Sequence, residues 1–134
     1  MNLFTKKQHW ILSALTGILL MSFAVAADPF DDVVTALKAG DATKLSQHFD
    51  NMVEITLSNN GNSYSKSQAE IVLRDFFAKS KVKSFTLIHK GSSGEGSSFG
   101  IGNLVTTNAT FRTTFFFRQK GEKIVLQELR FERK

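Results

Sequence analysis

The sequence predicts an α+β domain in which helices come first and a mostly antiparallel sheet follows. Apolar residues recur at helical spacing in the segments 30–37 and 69–77. From Lys81 onward they alternate with polar residues, a period of two that is typical of half-buried strands. Short turn-forming segments, GSSGEG, TN and KGE, separate these alternating runs, which favours strands that are joined by hairpins.

The first 26 residues are predicted to be a secretory signal peptide and not part of the domain. Lys6 and Lys7 precede an uncharged run from residue 11 to residue 26, which ends in the small-x-small sequence AVA. The alternative is a membrane anchor, but the run is shorter than the roughly 20 residues that span a bilayer. We therefore expect an exported protein, periplasmic or extracellular, with one domain at 27–134 and no stable membrane span after cleavage.

Composition excludes several classes of site. The chain has no cysteine, so disulfides, a thiol nucleophile and thiolate metal sites are excluded. No histidine spacing indicates a metal site either, and we expect no cofactor. The net charge is +5, and most basic residues fall singly between apolar residues of the second half. This pattern is typical of the wet face of a sheet and does not favour nucleic-acid binding.

Three helices are predicted around one early strand. Asp28 and Pro29 begin the first helix, Gly40 ends it, and Asp41 caps a short second helix. The alternating segment NMVEITLS predicts a strand, followed by the turn signal NNGN. A third helix is expected at about 66–79, capped in one of two registers, Ser67 to Glu70 or Ser65 to Gln68.

Four later strands are predicted to present mainly apolar faces. The period assigns these faces: Phe85, Leu87 and His89; Phe99, Ile101, Asn103 and Val105; Phe111, Thr113, Phe115 and Phe117; Val125, Gln127, Leu129 and Phe131. The glycine-rich stretch between the first two strands lacks a following helix and the phosphate-loop order. It therefore predicts a hairpin tip, at Gly91, Gly94 and Gly96, and not a nucleotide site.

The order of elements resembles the nuclear-transport-factor-2-like superfamily. The segments ALKAGDATKLSQHFDNMVEITL, YSKSQAEIVLRDFFAKS and FGIGNLVTTNATFRTTFFFR carry this resemblance. The segments YSK, HKGSS and LRFE also resemble a secreted bacterial family of this fold with no assigned function. The resemblance implies a curved sheet around a long helix and a cone-shaped pocket between them. Enzymes of the superfamily use a pocket aspartate, yet no aspartate follows Asp75 here.

Two groups of residues are candidates for function. If the four faces turn to one side, polar groups converge in the cone with Tyr64 at its rim: Tyr64, His89, Asn103, Thr113 and Gln127. On the opposite faces, charged residues around one aromatic ring suggest a homodimer contact: Arg112, Phe116, Arg118 and Arg130. No catalytic residue is assigned.

These candidates leave three functions open. The first is a non-enzymatic module that binds a small apolar or amphipathic molecule. The second is a protein interaction or dimerisation module of the cell envelope. The third is an isomerase or dehydratase that uses His89 as a base without an aspartate.

Overall fold

The computed structural model describes residues 29–134, so the predicted signal peptide lies outside the described residues. The described part contains three helices and six strands. They are α1 Pro29–Ala39, α2 Ala42–Ser46, β1 Phe49–Leu57, β2 Asn60–Ser65, α3 Lys66–Lys79, β3 Val82–Gly94, β4 Ser97–Thr106, β5 Thr110–Lys120 and β6 Lys123–Arg133. None of these three helices is long and apolar enough to cross a membrane. The predicted α+β class is confirmed.

All six strands form one sheet in the order β2-β1-β6-β5-β4-β3. Neighbouring strands are antiparallel except β1 and β6, which run parallel and join the two halves of the chain. The strand β2 was not predicted, because the segment NGNSYS is polar and has no alternating apolar face. It pairs with β1 across a tight turn at Ser58, whose φ is +57°.

Three predicted helix ends are confirmed, at Gly40, Asp41 and Ser65, whereas the predicted cap at Asp28 lies outside the described residues. Gly40 has a φ of +62° after α1, and the side chain of Asp41 accepts a 3.0 Å hydrogen bond from the Lys44 amide. At the start of α3, Ser65 and Gln68 form the capping box, so the second of the two predicted registers is the one adopted. These caps satisfy backbone donors that a helix leaves open.

The helices pack on one face of the sheet, which we call the inner face, and phenylalanine rings fill the space between them. The ring of Phe30 in α1 lies 5.1 Å from that of Phe115. In α3, the ring of Phe76 lies 4.8 Å from Phe131 and 5.3 Å from Phe111. Packed phenylalanine rings therefore join these two helices to the sheet.

The predicted inner face of β4 is wrong. Gly100, Gly102, Leu104 and Thr106 are the buried residues, and the alternate residues from Phe99 to Val105 lie on the opposite face, which we call the outer face. The reason is steric. A Cβ on Gly100 would lie 2.3 Å from Phe115 Cζ, and one on Gly102 would lie 2.5 Å from Phe85 Cζ. The glycines face inward because neighbouring rings occupy the space of their missing side chains.

Two bulges explain why the predicted faces of β3 and β6 are wrong in part. In β3 the pairing register shifts at Ile88, so Leu87 faces inward but His89 pairs with Ile101 on the outer face. In β6 the extra residue is Gln127, which places Leu126 inside and leaves Val125 opposite Arg118. A bulge inserts one residue into one strand, so it reverses the faces on one side of it. The predicted faces of β5 and of Leu129 and Phe131 are confirmed.

The glycine-rich stretch is confirmed as a hairpin. Its turn consists of Gly94, Glu95 and Gly96, all with positive φ. Gly91 was predicted at the tip but lies within β3 and pairs with Phe99.

Candidate interaction surface

The structure does not bring the five predicted pocket residues together. Thr113 is fully buried on the inner face, where its hydroxyl lies 3.4 Å from the carbonyl oxygen of Phe111. Tyr64 is half-buried on β2 and packs against the core. The prediction that Asn103 and His89 face inward is wrong, since both lie on the outer face. The prediction that Gln127 shares the inner face is also wrong, since it sits in the β6 bulge and donates a 3.2 Å hydrogen bond to Asp50. Ligand contact by these residues stays a prediction.

The four predicted interface residues do share the outer face. The pairing of β5 with β6 places Arg112 opposite Glu132, Phe116 opposite Glu128 and Arg118 opposite Val125. Arg130 lies opposite Thr114 in the same register. Cross-strand partners point to the same side of a sheet, so these side chains form one continuous surface.

An aromatic patch, which consists of His89, Phe99 and Phe116, crosses three strands of this face. The ring centroids of Phe99 and Phe116 lie 6.0 Å apart, and those of His89 and Phe99 lie 5.6 Å apart. These distances fall within the range of favourable ring contacts. Phe99 and Phe116 are half-buried although the helices pack on the other face. The patch therefore presents two partly exposed rings to the surroundings.

Gly91 leaves room for the ring of Phe99 beside β3. A Cβ at position 91 would lie 2.5 Å from Phe99 Cζ, so any other residue there would displace the ring. Sequence reasoning missed this use of Gly91 and the stacking of His89. The available signal was a glycine in β3 that a hairpin places opposite an aromatic residue in β4.

Charged side chains of both signs flank the aromatic patch. The Nε atom of Arg130 lies 3.0 Å from Glu128 Oε1, and its guanidinium reaches Glu132 at 3.9 Å. Burial raises the pKa of Glu128, the charge of Arg130 opposes this effect, and Glu54 adds to it. Arg112 and Arg118 make no ion pair with any residue of 29–134. The outer face thus offers two arginines that can meet carboxylates of another molecule.

Two kinds of chemical site, a histidine base and a metal centre, can be compared with residues 29–134. The His89 ring contacts the Phe99 ring, and no carboxylate of 29–134 orients it as a base. No group of three metal-ligating side chains comes together within the same range.

The fold defines a domain of the nuclear-transport-factor-2-like type, and sequence comparison defines the family. The chain belongs to the family described as "Domain of unknown function (DUF4783)", which matches residues 30–132. This confirms the resemblance that the sequence showed.

Solved structures agree with this membership. A DUF4783 protein from Bacteroides uniformis is 32% identical with a TM-score of 0.74, and the match covers 78% of this chain and 95% of that one. One from Bacteroides fragilis is 33% identical with a TM-score of 0.72, and covers 77% and 96%. A designed protein whose name includes NTF2 shares the fold, at 19% identity, a TM-score of 0.56, and 75% and 90% coverage. No curated protein matches the chain.

Proposed function

We propose that this domain is a non-enzymatic binding module whose working surface is the outer face of its sheet. The observation that carries the proposal is the neighbouring pair Phe99 and Phe116, two half-buried rings on the face away from the helices. Large apolar side chains held together on an open face commonly mark an interaction site. The fold is compatible with a binding role, and the family has no assigned function.

The partner we infer is a second copy of this chain. The face carries Arg112, Arg118 and Arg130 together with three carboxylates: Glu54, Glu128 and Glu132. In a two-fold dimer the same patch meets itself, so a surface with both signs of charge can pair arginines of one copy with glutamates of the other. The central rings would supply the apolar core of such an interface.

The size of the face is sufficient for a stable dimer. Five of the six strands contain nine or more residues. Ten residues at about 3.3 Å and five strands at about 4.8 Å cover roughly 800 Å². A standard interface buries about 800 Å² on each partner. The outer face therefore matches the required area without help from the helices.

The test is the mass of the protein in solution, measured by sedimentation velocity over a range of concentrations. We expect a dimer for the wild type and a monomer for Phe116→Glu, because the charge would be desolvated at the centre of the interface. Ile88→Glu is the matched control, since Ile88 is 62% exposed on the edge strand and outside the aromatic patch.

Two further measurements distinguish loss of the dimer interface from unfolding of the variant. Thermal unfolding shows whether Phe116→Glu is folded, and Arg112→Glu with Arg118→Glu changes only exposed side chains and should also weaken the dimer. A wild-type protein that stays monomeric at its highest soluble concentration contradicts the proposal. So does a dimer that all these variants leave intact.

Export is the second part of the proposed function. The basic start, the uncharged run and the AVA sequence before residue 27 support it. Expression of the full chain in a bacterium, followed by N-terminal sequencing of the periplasmic fraction, should find a protein that begins at Ala27. Recovery of uncleaved protein in the cytoplasm would contradict the export proposal alone and would not affect the proposal that the outer face forms a dimer.

A further inference from the structure

A polar cleft opens where β1 separates from β6, away from the aromatic patch. Phe49 pairs with Leu126 and Glu54 pairs with Glu128, so four residues of β1, 50–53, stand opposite Gln127 alone. Such irregularities often adjoin functional sites, because they redirect side chains. The cleft has a volume of about 430 Å³, which lies within the range of small-molecule sites.

Asp50 forms the floor of the cleft, and its acceptor capacity is already in use. Its carboxylate accepts hydrogen bonds from Lys120 Nζ at 2.9 and 3.2 Å, from Gln127 Nε2 at 3.2 Å and from the Asn51 amide at 2.8 Å. The side chain is 14% exposed. Asp50 therefore neutralises Lys120 and holds it in place.

Two more lysines at the cleft remain uncompensated. Lys66, the first residue of α3, and Lys123, the first residue of β6, both line the cleft and are exposed. Neither makes an ion pair within residues 29–134. The lining holds three lysines against one carboxylate, that of Asp50, so its lysines and carboxylates sum to a charge of +2.

The wall of the cleft includes apolar surface beside these charges. Ile124 is 44% exposed, and Val125 next to it is half-buried. An exposed isoleucine side chain in a cleft with two lysines that make no ion pair suits a molecule with an anionic end and a carbon part.

We propose that this cleft binds a small organic anion, a carboxylate or phosphate ester whose oxygens meet Lys66 and Lys123 and whose carbon part lies on Ile124. The cleft adjoins the outer face at Val125, which lies opposite Arg118, but the proposal does not depend on the dimer. It also places small-molecule binding, which the sequence predicted for the cone, at a surface cleft that includes neighbours of Gln127.

The experiment is an NMR titration of the ¹⁵N-labelled protein with sodium hexanoate, with 1-hexanol as the neutral control. Hexanoate should shift the amide signals of His48, Ile124 and Val125 in a saturable way, and hexanol should bind about tenfold more weakly. Lys66→Gln and Lys123→Gln should each weaken hexanoate binding about tenfold. Lys83→Gln removes the same charge from the edge strand β3 and should change nothing.

Phosphate esters and lipid headgroups share this chemistry, so a second arm uses vesicles that contain phosphatidylglycerol. Hexanoate binding that the two cleft variants remove supports the proposal, and vesicle binding lost in the same variants adds the headgroup as a source. The proposal is overturned if hexanoate shifts are absent, are spread evenly over the surface, or persist in the double variant. Binding to vesicles without binding to hexanoate also overturns it.

Discussion

Replacing Gly100 with alanine should destabilise the protein far more than the same change at Gly91. Both glycines lie within strands, both lack positive φ, and both face an aromatic ring of the neighbouring strand. The intrinsic effect of alanine in a strand, a gain of roughly 0.5–1 kcal/mol, is therefore common to both. Any difference between the two variants reports how far each ring can move.

The structure allows the size of this difference to be worked out. The new Cβ would lie 2.3 Å from Phe115 Cζ at position 100 and 2.5 Å from Phe99 Cζ at position 91, whereas carbon atoms prefer about 3.5–4.0 Å. The ring of Phe115 is fully buried between Phe30 and Phe117, at 5.1 and 5.8 Å. To make room for the new Cβ, the Phe115 ring must displace neighbouring core side chains, which lowers the free energy of unfolding by about 1–3 kcal/mol. The ring of Phe99 is half-buried and can move toward solvent.

The assay is urea unfolding followed by circular dichroism. We expect Gly100→Ala to be about 2 kcal/mol less stable than Gly91→Ala, which corresponds to a melting temperature lower by roughly 8–12 °C. Phe115→Leu should recover part of the loss when it is combined with Gly100→Ala, because it removes the atoms that collide. Equal stability of the two alanine variants would refute the steric explanation for the inward-facing glycines.

Two further predictions concern pH. The Lys120 hydrogen bond lowers the pKa of Asp50, and the contacts with Asn51 and Gln127 add to it against the effect of burial. Since the folded-state pKa lies below the unfolded one, the stabilisation is complete above about pH 4 and is lost as the pH falls through the folded value. Asp50→Asn should therefore lower the free energy of unfolding by about 1 kcal/mol at pH 7 and by less at pH 3. If the difference in urea midpoint between the variant and the wild type does not change with pH, this prediction is wrong. For Glu128 the pKa is raised by burial, so its ionised form costs stability above the folded pKa, and the cost disappears as the pH falls toward the unfolded value. At pH 7, Glu128→Gln should be more stable than the wild type by less than about 1 kcal/mol. Near pH 4 the two proteins should be equally stable. A variant that is less stable than the wild type at pH 7 would show that the ion pair with Arg130 outweighs the effect of burial.

The helices and β5 could be predicted because local signals and burial agree there. Asp41, Ser65 and Gly40 each satisfy or end a helix by their own chemistry, and the structure uses them in that way. In β5 every second residue from Phe111 to Phe117 is buried, so the period of two alone assigns the face.

The faces of β3, β4 and β6 could not be predicted by period alone. The extra residues at Ile88 and Gln127 leave no mark in the alternation, since the sequence on each side of a bulge still alternates. In β4 the outer residues Phe99 and Ile101 are more apolar than the inner glycines, because rings of β3 and β5 fill the inner space. The cleft also escaped prediction, because Asp50 and Lys120 are 70 residues apart and meet only through the sheet.

The parallel pairing of β1 with β6 has a consequence for how the chain becomes folded. The strand β6 is the last of the six described strands in chain order, yet it occupies an interior position with a neighbour on each side. Before β6 is synthesised, β1 can pair only with β2. The edges of β1 and β5 that β6 later joins have no partner strand at this stage. Contacts between residues that lie far apart in the sequence form slowly during folding. The sheet therefore stays in two unconnected parts, β1 with β2 and β3 with β4 and β5, until β6 has been synthesised.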